Sequence, residues 1–150
     1  MNDRITEIKL DKFSLIELEN WITSFVTKEI QFPALLLLEG PMGAGKTTFT
    51  RMLAKNFNCD TSFVNSPTFA IHQQYSINNL NTENSINNKL NRIDHFDLYR
   101  LDSEDDLETS GFWEILAEPS QLLVVEWPSR ITSPNWIPSG VHAYRIYLSK

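Results

Sequence analysis

Eight consecutive residues, Gly40-Pro-Met-Gly-Ala-Gly45-Lys46-Thr47, match the pattern G-x-x-x-x-G-K-S/T. These residue types suit one task, enclosing a polyphosphate. Glycines let successive backbone N–H groups turn inward and let the chain wrap closely round phosphate oxygens. Gly40, Met42, Gly43, Ala44 and Gly45 supply that cradle, and a helix starting at Lys46 adds unpaired N–H groups and a positive dipole end. Lys46 would reach the β- and γ-phosphates as a point charge, Thr47 would place its hydroxyl on Mg²⁺, and Thr48 would add a hydroxyl near the α-phosphate. The chain holds only five glycines, and three of them fall within six residues here.

Such a loop works with an acid at the end of a second buried strand, holding Mg²⁺ or its water. Two candidates fit. Asp97 ends His95-Phe-Asp-Leu-Tyr-Arg100, and Glu126 ends Leu122-Leu-Val-Val-Glu-Trp127. Strand burial alone favours Glu126, since four apolar residues precede its carboxylate. Trp127 is either a gate to the site or core packing. His95 reads as a satisfied polar residue and takes no chemical role. Arg100 either contacts phosphate or pairs with an acid among Asp102 to Asp106. Ser66-Pro67-Thr68 lies on a proline-constrained segment after the loop helix, where a threonine could sense phosphate or metal in the manner of a switch. The same residues also suit a plain entry turn.

The elements that must position these residues follow from periodicity. Ala34 to Leu38 is a continuous apolar run, the signature of a strand buried on both faces of a parallel sheet. Phe49, Met52, Leu53 and Phe57 then repeat at helical spacing, so the order is strand, glycine loop, helix. Upstream, Ser14 and Glu17 form a capping box with Phe13 and Leu18 at the staple positions, and Leu15, Leu18, Ile22, Phe25 and Val26 form an apolar stripe. Ile5 to Leu10 predicts a short edge strand. Arg92 to Leu98 and Leu122 to Val125 predict further strands, Ser103 a helix start, and Tyr144 to Leu148 an alternating terminal strand. Ser62 to Tyr75 reads as extended, and the Asn-rich stretch 76–91 as a long exposed hairpin connection.

At 150 residues the chain is one domain of ordinary size, with 41% apolar and 21% charged residues. A net charge of −6 argues against gripping naked nucleic acid or an anionic membrane mainly by charge. Cys59 is the sole cysteine, so an internal disulfide is excluded and a cysteine zinc site disfavoured. The N-terminal residues lack the form of a signal peptide and no apolar run could span a bilayer, which predicts a cytoplasmic protein without membrane contact.

Four ordered motifs carry a family resemblance: G-x-x-G-A-G-K-T-T at 40–48, S-P-T-F at 66–69, H-x-D-L-Y-R-L at 95–101 and V-E-W at 125–127. Together they resemble the TsaE (YjeE) family of bacterial ATPases, over most of the chain. The resemblance implies an α/β fold: a P-loop NTPase-type three-layer sandwich with a mixed, largely parallel sheet flanked by helices. It implies ATP and Mg²⁺ as ligands, and slow hydrolysis that supports threonylcarbamoyl modification of adenosine next to the anticodon. Partners would be the TsaD and TsaB proteins, with tRNA met only through that assembly. Carried over by position, Lys46 and Thr47 serve phosphate and metal, Asp97 is the Walker B-like acid, and Glu126 is an acid needed for activity. Thr68 belongs to the switch-like segment and Trp127 lies close to the nucleotide. The chain departs from the family at Pro41-Met42, where an acid and then Leu are frequent, and in the longer polar stretch 76–91.

Other classes have less behind them. A small-molecule kinase would need an arginine-rich lid, and the six arginines are scattered. A GTPase would carry N-K-x-D, and Asn88-Lys-Leu-Asn91 lacks the aspartate. A nucleotide-bound docking protein without turnover would use the same acids for Mg²⁺ and is not separated by sequence.

Overall fold

The computed structural model describes residues 5–61, 71–77, 90–118 and 121–150. Its strands are β1 (Thr6–Asp11), β2 (Ala34–Glu39), β3 (His72–Ser76), β4 (Arg92–Asp97), β5 (Leu122–Glu126) and β6 (His142–Ser149). They form one sheet in the order β1-β6-β2-β5-β4-β3. All neighbours are parallel except β3, which pairs antiparallel with β4. The sheet is thus mixed and mostly parallel, as expected. β1 is the edge strand expected from Ile5 to Leu10, and the C-terminal strand β6 lies inside the sheet, between β1 and β2.

Helices cover both faces. On one, α1 (Leu15–Lys28) and α2 (Lys46–Asn56) bury Leu18, Ile22, Phe25, Phe49 and Leu53 against Leu36, Leu38, Val124 and Ile146. On the other, α3 (Glu104–Thr109) and α4 (Phe112–Leu116) bury Leu107, Phe112 and Leu116 against Leu35, Leu37, Leu123 and Val125. This alternation explains the continuous apolar runs: successive side chains of a central strand enter opposite cores. Leu35 to Leu38 are all 0% exposed. Each leucine contributes about 1.5–3 kcal/mol by leaving water.

The capping box forms as read: Glu17 N–H donates to Ser14 Oγ at 3.2 Å, and Ser14 N–H donates to Glu17 Oε1 at 2.9 Å. Leu15 departs from its expected stripe. It is 66% exposed, because the first turn of α1 lines a surface cleft rather than the core. Ser103 does precede α3, but its side chain makes no capping bond. The polar stretch read as 76–91 is tied down at both ends. Ser76 belongs to β3, Ile77 N–H donates to Asn91 O at 2.9 Å, and Leu90 is buried. The antiparallel pairing of β3 with β4 makes the stretch a hairpin connection. Its residues 78–89, and the segment 62–70 that carries Ser66, Pro67 and Thr68, lie outside the described residues.

Candidate functional site

The glycine loop leaves β2 at Glu39 and enters α2 at Lys46. Gly40 has φ +144°, and a Cβ there would sit 2.5 Å from the Leu148 carbonyl oxygen, so the loop passes β6 too closely for any side chain. Gly45 caps α2 in the left-handed conformation at φ +110°, with the Phe13 ring against it. No side chain caps this helix start, which leaves the first turn to serve an anion. Loop and helix border a cleft of about 1080 Å³, lined also by Phe13, Asp97, Glu126 and Trp127. That volume accommodates a nucleotide.

Lys46 is 6% exposed. Its ammonium donates to the Gly40 carbonyl at 2.5 Å and lies 3.9 Å over the centre of the Trp127 ring. Burial pushes its pKa below the usual lysine range, while the charges of Glu126, Asp97 and Glu39 pull it back up. Trp127 follows β5 with φ +59°, a costly conformation for a bulky residue. Its ring also packs against Tyr99, 5.0 Å between centroids. The side chain therefore takes part in both packing and the site, against a lysine that sequence alone did not connect to it.

Asp97 and Glu126 end adjacent parallel strands and stand opposite each other in register. Strand alternation puts both on the α2 face of the sheet. Asp97 accepts from Tyr99 N–H at 3.1 Å. Burial raises its pKa first of all; the Tyr99 N–H lowers it, the Glu126 charge raises it, and His95 and Lys46 lower it. Glu126 is 2% exposed, and its Oε2 lies 2.6 Å from His95 Nε2. His95 is itself fully buried, and its Nδ1 meets the Tyr75 hydroxyl at 2.9 Å. Sequence reasoning gave His95 no role. A signal did exist: it stands two residues before Asp97 on a strand, so both must share a face.

The structure brings Lys46, Thr47, Thr48, Asp97, Glu126 and Trp127 to one cleft together with Gly43, Ala44 and Gly45. Met42 also lines it and is 71% exposed. Arg100 lines the cleft too. The donor set of Thr47 hydroxyl and two carboxylates is all oxygen, which fits a hard cation such as Mg²⁺. Among the described residues no three His, Cys, Asp or Glu side chains cluster as a metal site. Among the described residues no helix is long and apolar enough to cross a membrane.

A buried strand, an uncapped glycine-loop helix and two strand-end acids around one cleft define a P-loop nucleotide-binding fold. The sequence model of the family described as TsaE, threonylcarbamoyl adenosine biosynthesis protein, matches residues 14–150. The chain belongs to that family. It is 37% identical over 93 residues to the tRNA threonylcarbamoyladenosine biosynthesis protein TsaE of Rickettsia felis, covering 62% of this chain and 47% of that protein. The protein of the same name from Borreliella burgdorferi is 36% identical over 94 residues, 63% of this chain and 59% of its own length. The one from Nostoc is 32% identical over 132 residues, 86% of this chain and 72% of its own. The matched stretch spans about half the length of the Rickettsia felis and Rickettsia conorii relatives, 47% and 46%.

Proposed function

We propose that this protein binds ATP with Mg²⁺ and hydrolyses it slowly, in support of threonylcarbamoyl modification of adenosine next to the tRNA anticodon. It acts in the cytoplasm with TsaD and TsaB, and meets tRNA only through that assembly. The observation that carries the reading is the convergence of Lys46, Asp97 and Glu126 on the cleft that the glycine loop borders.

The loop backbone and the first turn of α2 bind the phosphates, with Thr48 near the α-phosphate. Lys46 places its charge against the β- and γ-phosphates, and the low exposure of its ammonium makes that charge count for more than it would in water. Thr47 and Asp97 would hold the magnesium, whose charge, when bound, neutralises that developing on the phosphate oxygens. Glu126 orients the water that attacks the γ-phosphorus in line. No covalent intermediate forms: positioning and charge stabilisation carry the reaction. Trp127 flanks the nucleotide, and Ser66-Pro67-Thr68 responds to the γ-phosphate as a switch.

The test is ATP and GTP hydrolysis by the purified protein, alone and with purified TsaD and TsaB. Weak ATP turnover that rises with the partners is the expected result. ATP binding without turnover under either condition would make the protein a nucleotide-bound docking subunit. A preference for GTP would overturn the ATP assignment.

A further inference from the structure

A line of polar side chains crosses three strands beneath the site. The Tyr75 hydroxyl on β3 lies 2.7 Å from Gln73 Oε1 and 2.9 Å from His95 Nδ1 on β4, and His95 Nε2 lies 2.6 Å from Glu126 Oε2 on β5. His95 is 0% exposed, Glu126 2% and Tyr75 5%. Such a line is costly to bury unless each member is satisfied. The carboxylate at its end is the one that opens into the cleft.

The hydrogens can be placed by counting donors. An ionised carboxylate only accepts, so the hydrogen in the short contact to Glu126 sits on His95 Nε2. The Tyr75 phenol keeps its hydrogen: burial first, then the Glu126 charge, pushes its pKa above the usual tyrosine range. The phenol donates that hydrogen to Gln73 Oε1, and its oxygen faces His95 Nδ1. Tyr75 thus holds one ring nitrogen of His95 while the other meets Glu126. One carboxylate oxygen is committed to His95 and the other is left for chemistry.

We propose that His95, its ring held from β3 by Tyr75, is a positioning residue that holds Glu126 in the orientation from which it directs the attacking water. This role rests on the ATPase reading above. It concerns the geometry of Glu126, so it affects turnover and leaves nucleotide binding to the glycine loop.

The experiment compares ATP turnover and MgATP affinity of the full chain with partners for the wild type and for His95→Leu, His95→Gln and Tyr75→Phe. His95→Leu removes the donor, and its kcat should fall about 10- to 100-fold, the usual range for a residue that orients a ligand-bearing group. KM for ATP should stay within about twofold, because binding common to ground and transition state is untouched. The glutamine amide can present an N–H where Nε2 stood, so His95→Gln should recover most of the loss. Tyr75→Phe keeps the ring and its packing, loses only the hydroxyl, and should fall between the two.

A readout independent of turnover is the imidazole ¹⁵N spectrum. The wild type should show His95 protonated at Nε2, and Tyr75→Phe should broaden or shift that pattern. His95→Leu with wild-type kcat overturns the role, as does His95→Gln no better than His95→Leu, or a wild-type ring protonated at Nδ1 alone. Absence of wild-type turnover overturns the ATPase reading and this role with it. Wild-type turnover alongside unaffected variants overturns the role alone.

Discussion

Strand β4 carries two buried polar clusters, one on each face, and they are built differently. On the face of α3 and α4, the Asp94 carboxylate lies 2.8 Å from His72 Nε2, accepts from Gln74 at 3.0 Å and accepts from Arg92 Nε at 2.9 Å. Arg92 reaches on to Glu118 at 2.7 Å, and the His72 ring stacks on Phe96 at 4.2 Å. On the face of α1 and α2, the contact the structure gives the Glu126 carboxylate is with His95. Both acids are about equally buried, 1% and 2% exposed. Burial therefore does not distinguish them. Asp94 has three partners close in the fold and does not line the cleft that Glu126 lines, which is how a carboxylate that holds a sheet edge together is arranged. Glu126 is held at one oxygen beside an open cleft, which suits a carboxylate that has something further to bind.

The sharpest way to break this comparison is Glu126→Gln. The shape and the buried volume stay, so thermal stability should change little, whereas kcat for ATP should fall about 10²- to 10⁴-fold, the range for loss of a positioned base. If stability fell and turnover survived, Glu126 would belong with Asp94 as a structural acid.

Asp97→Asn tests the division of labour between the neighbouring acids. Mg²⁺-dependent nucleotide affinity, measured by titrating nucleotide with and without Mg²⁺, should fall about 10-fold or more, as expected when a carboxylate leaves a cation's shell. Glu126→Gln should leave that affinity nearer to wild type. The reverse ranking would exchange the two roles.

Asp94→Asn should do the opposite of Glu126→Gln. It leaves Arg92 and His72 with a weaker acceptor, and the loss in unfolding free energy should be about 1–3 kcal/mol, read from denaturant melts. Turnover per folded molecule should be unchanged.

Much of this arrangement was legible in the sequence because it is local or periodic. The glycine loop is a contiguous string, and β2 and β5 announce themselves as unbroken apolar runs since both faces are covered. Glu126 could be named because it ends such a run, and Asp97 because it ends the predicted strand β4. What escaped was pairing across the sheet. His95 and Glu126 are 31 positions apart, and nothing in Asp94-His95-Phe96 tells which face meets a cleft and which a closed core. Two adjacent residues of one strand thus received roles that only the registration with β3 and β5 assigns. Leu15 was misjudged for a related reason. The helical stripe continues through it, but α1 begins at the cleft, where no core remains to cover its first turn.

The smallest effect, and the most selective, is at acid pH. Burial raises the pKa of Asp94, but hydrogen bonds from His72, Arg92 and Gln74 together with the Arg92 charge outweigh it, and the net shift is below the ordinary value of 3.8. A carboxyl with a depressed folded-state pKa stabilises the fold fully above its unfolded pKa and loses that contribution as pH falls through the folded one. The Asp94 contribution should therefore be constant at neutral pH and decline only below about pH 4. Denaturant midpoints for the wild type and Asp94→Asn, taken from pH 7 down to pH 3, should run parallel at first and converge in that acid window. Convergence already well above pH 4 would mean that the depressed Asp94 carboxyl does not set the difference between the two proteins, and the closed cluster would then not be the fixed brace for the sheet edge that its three partners describe.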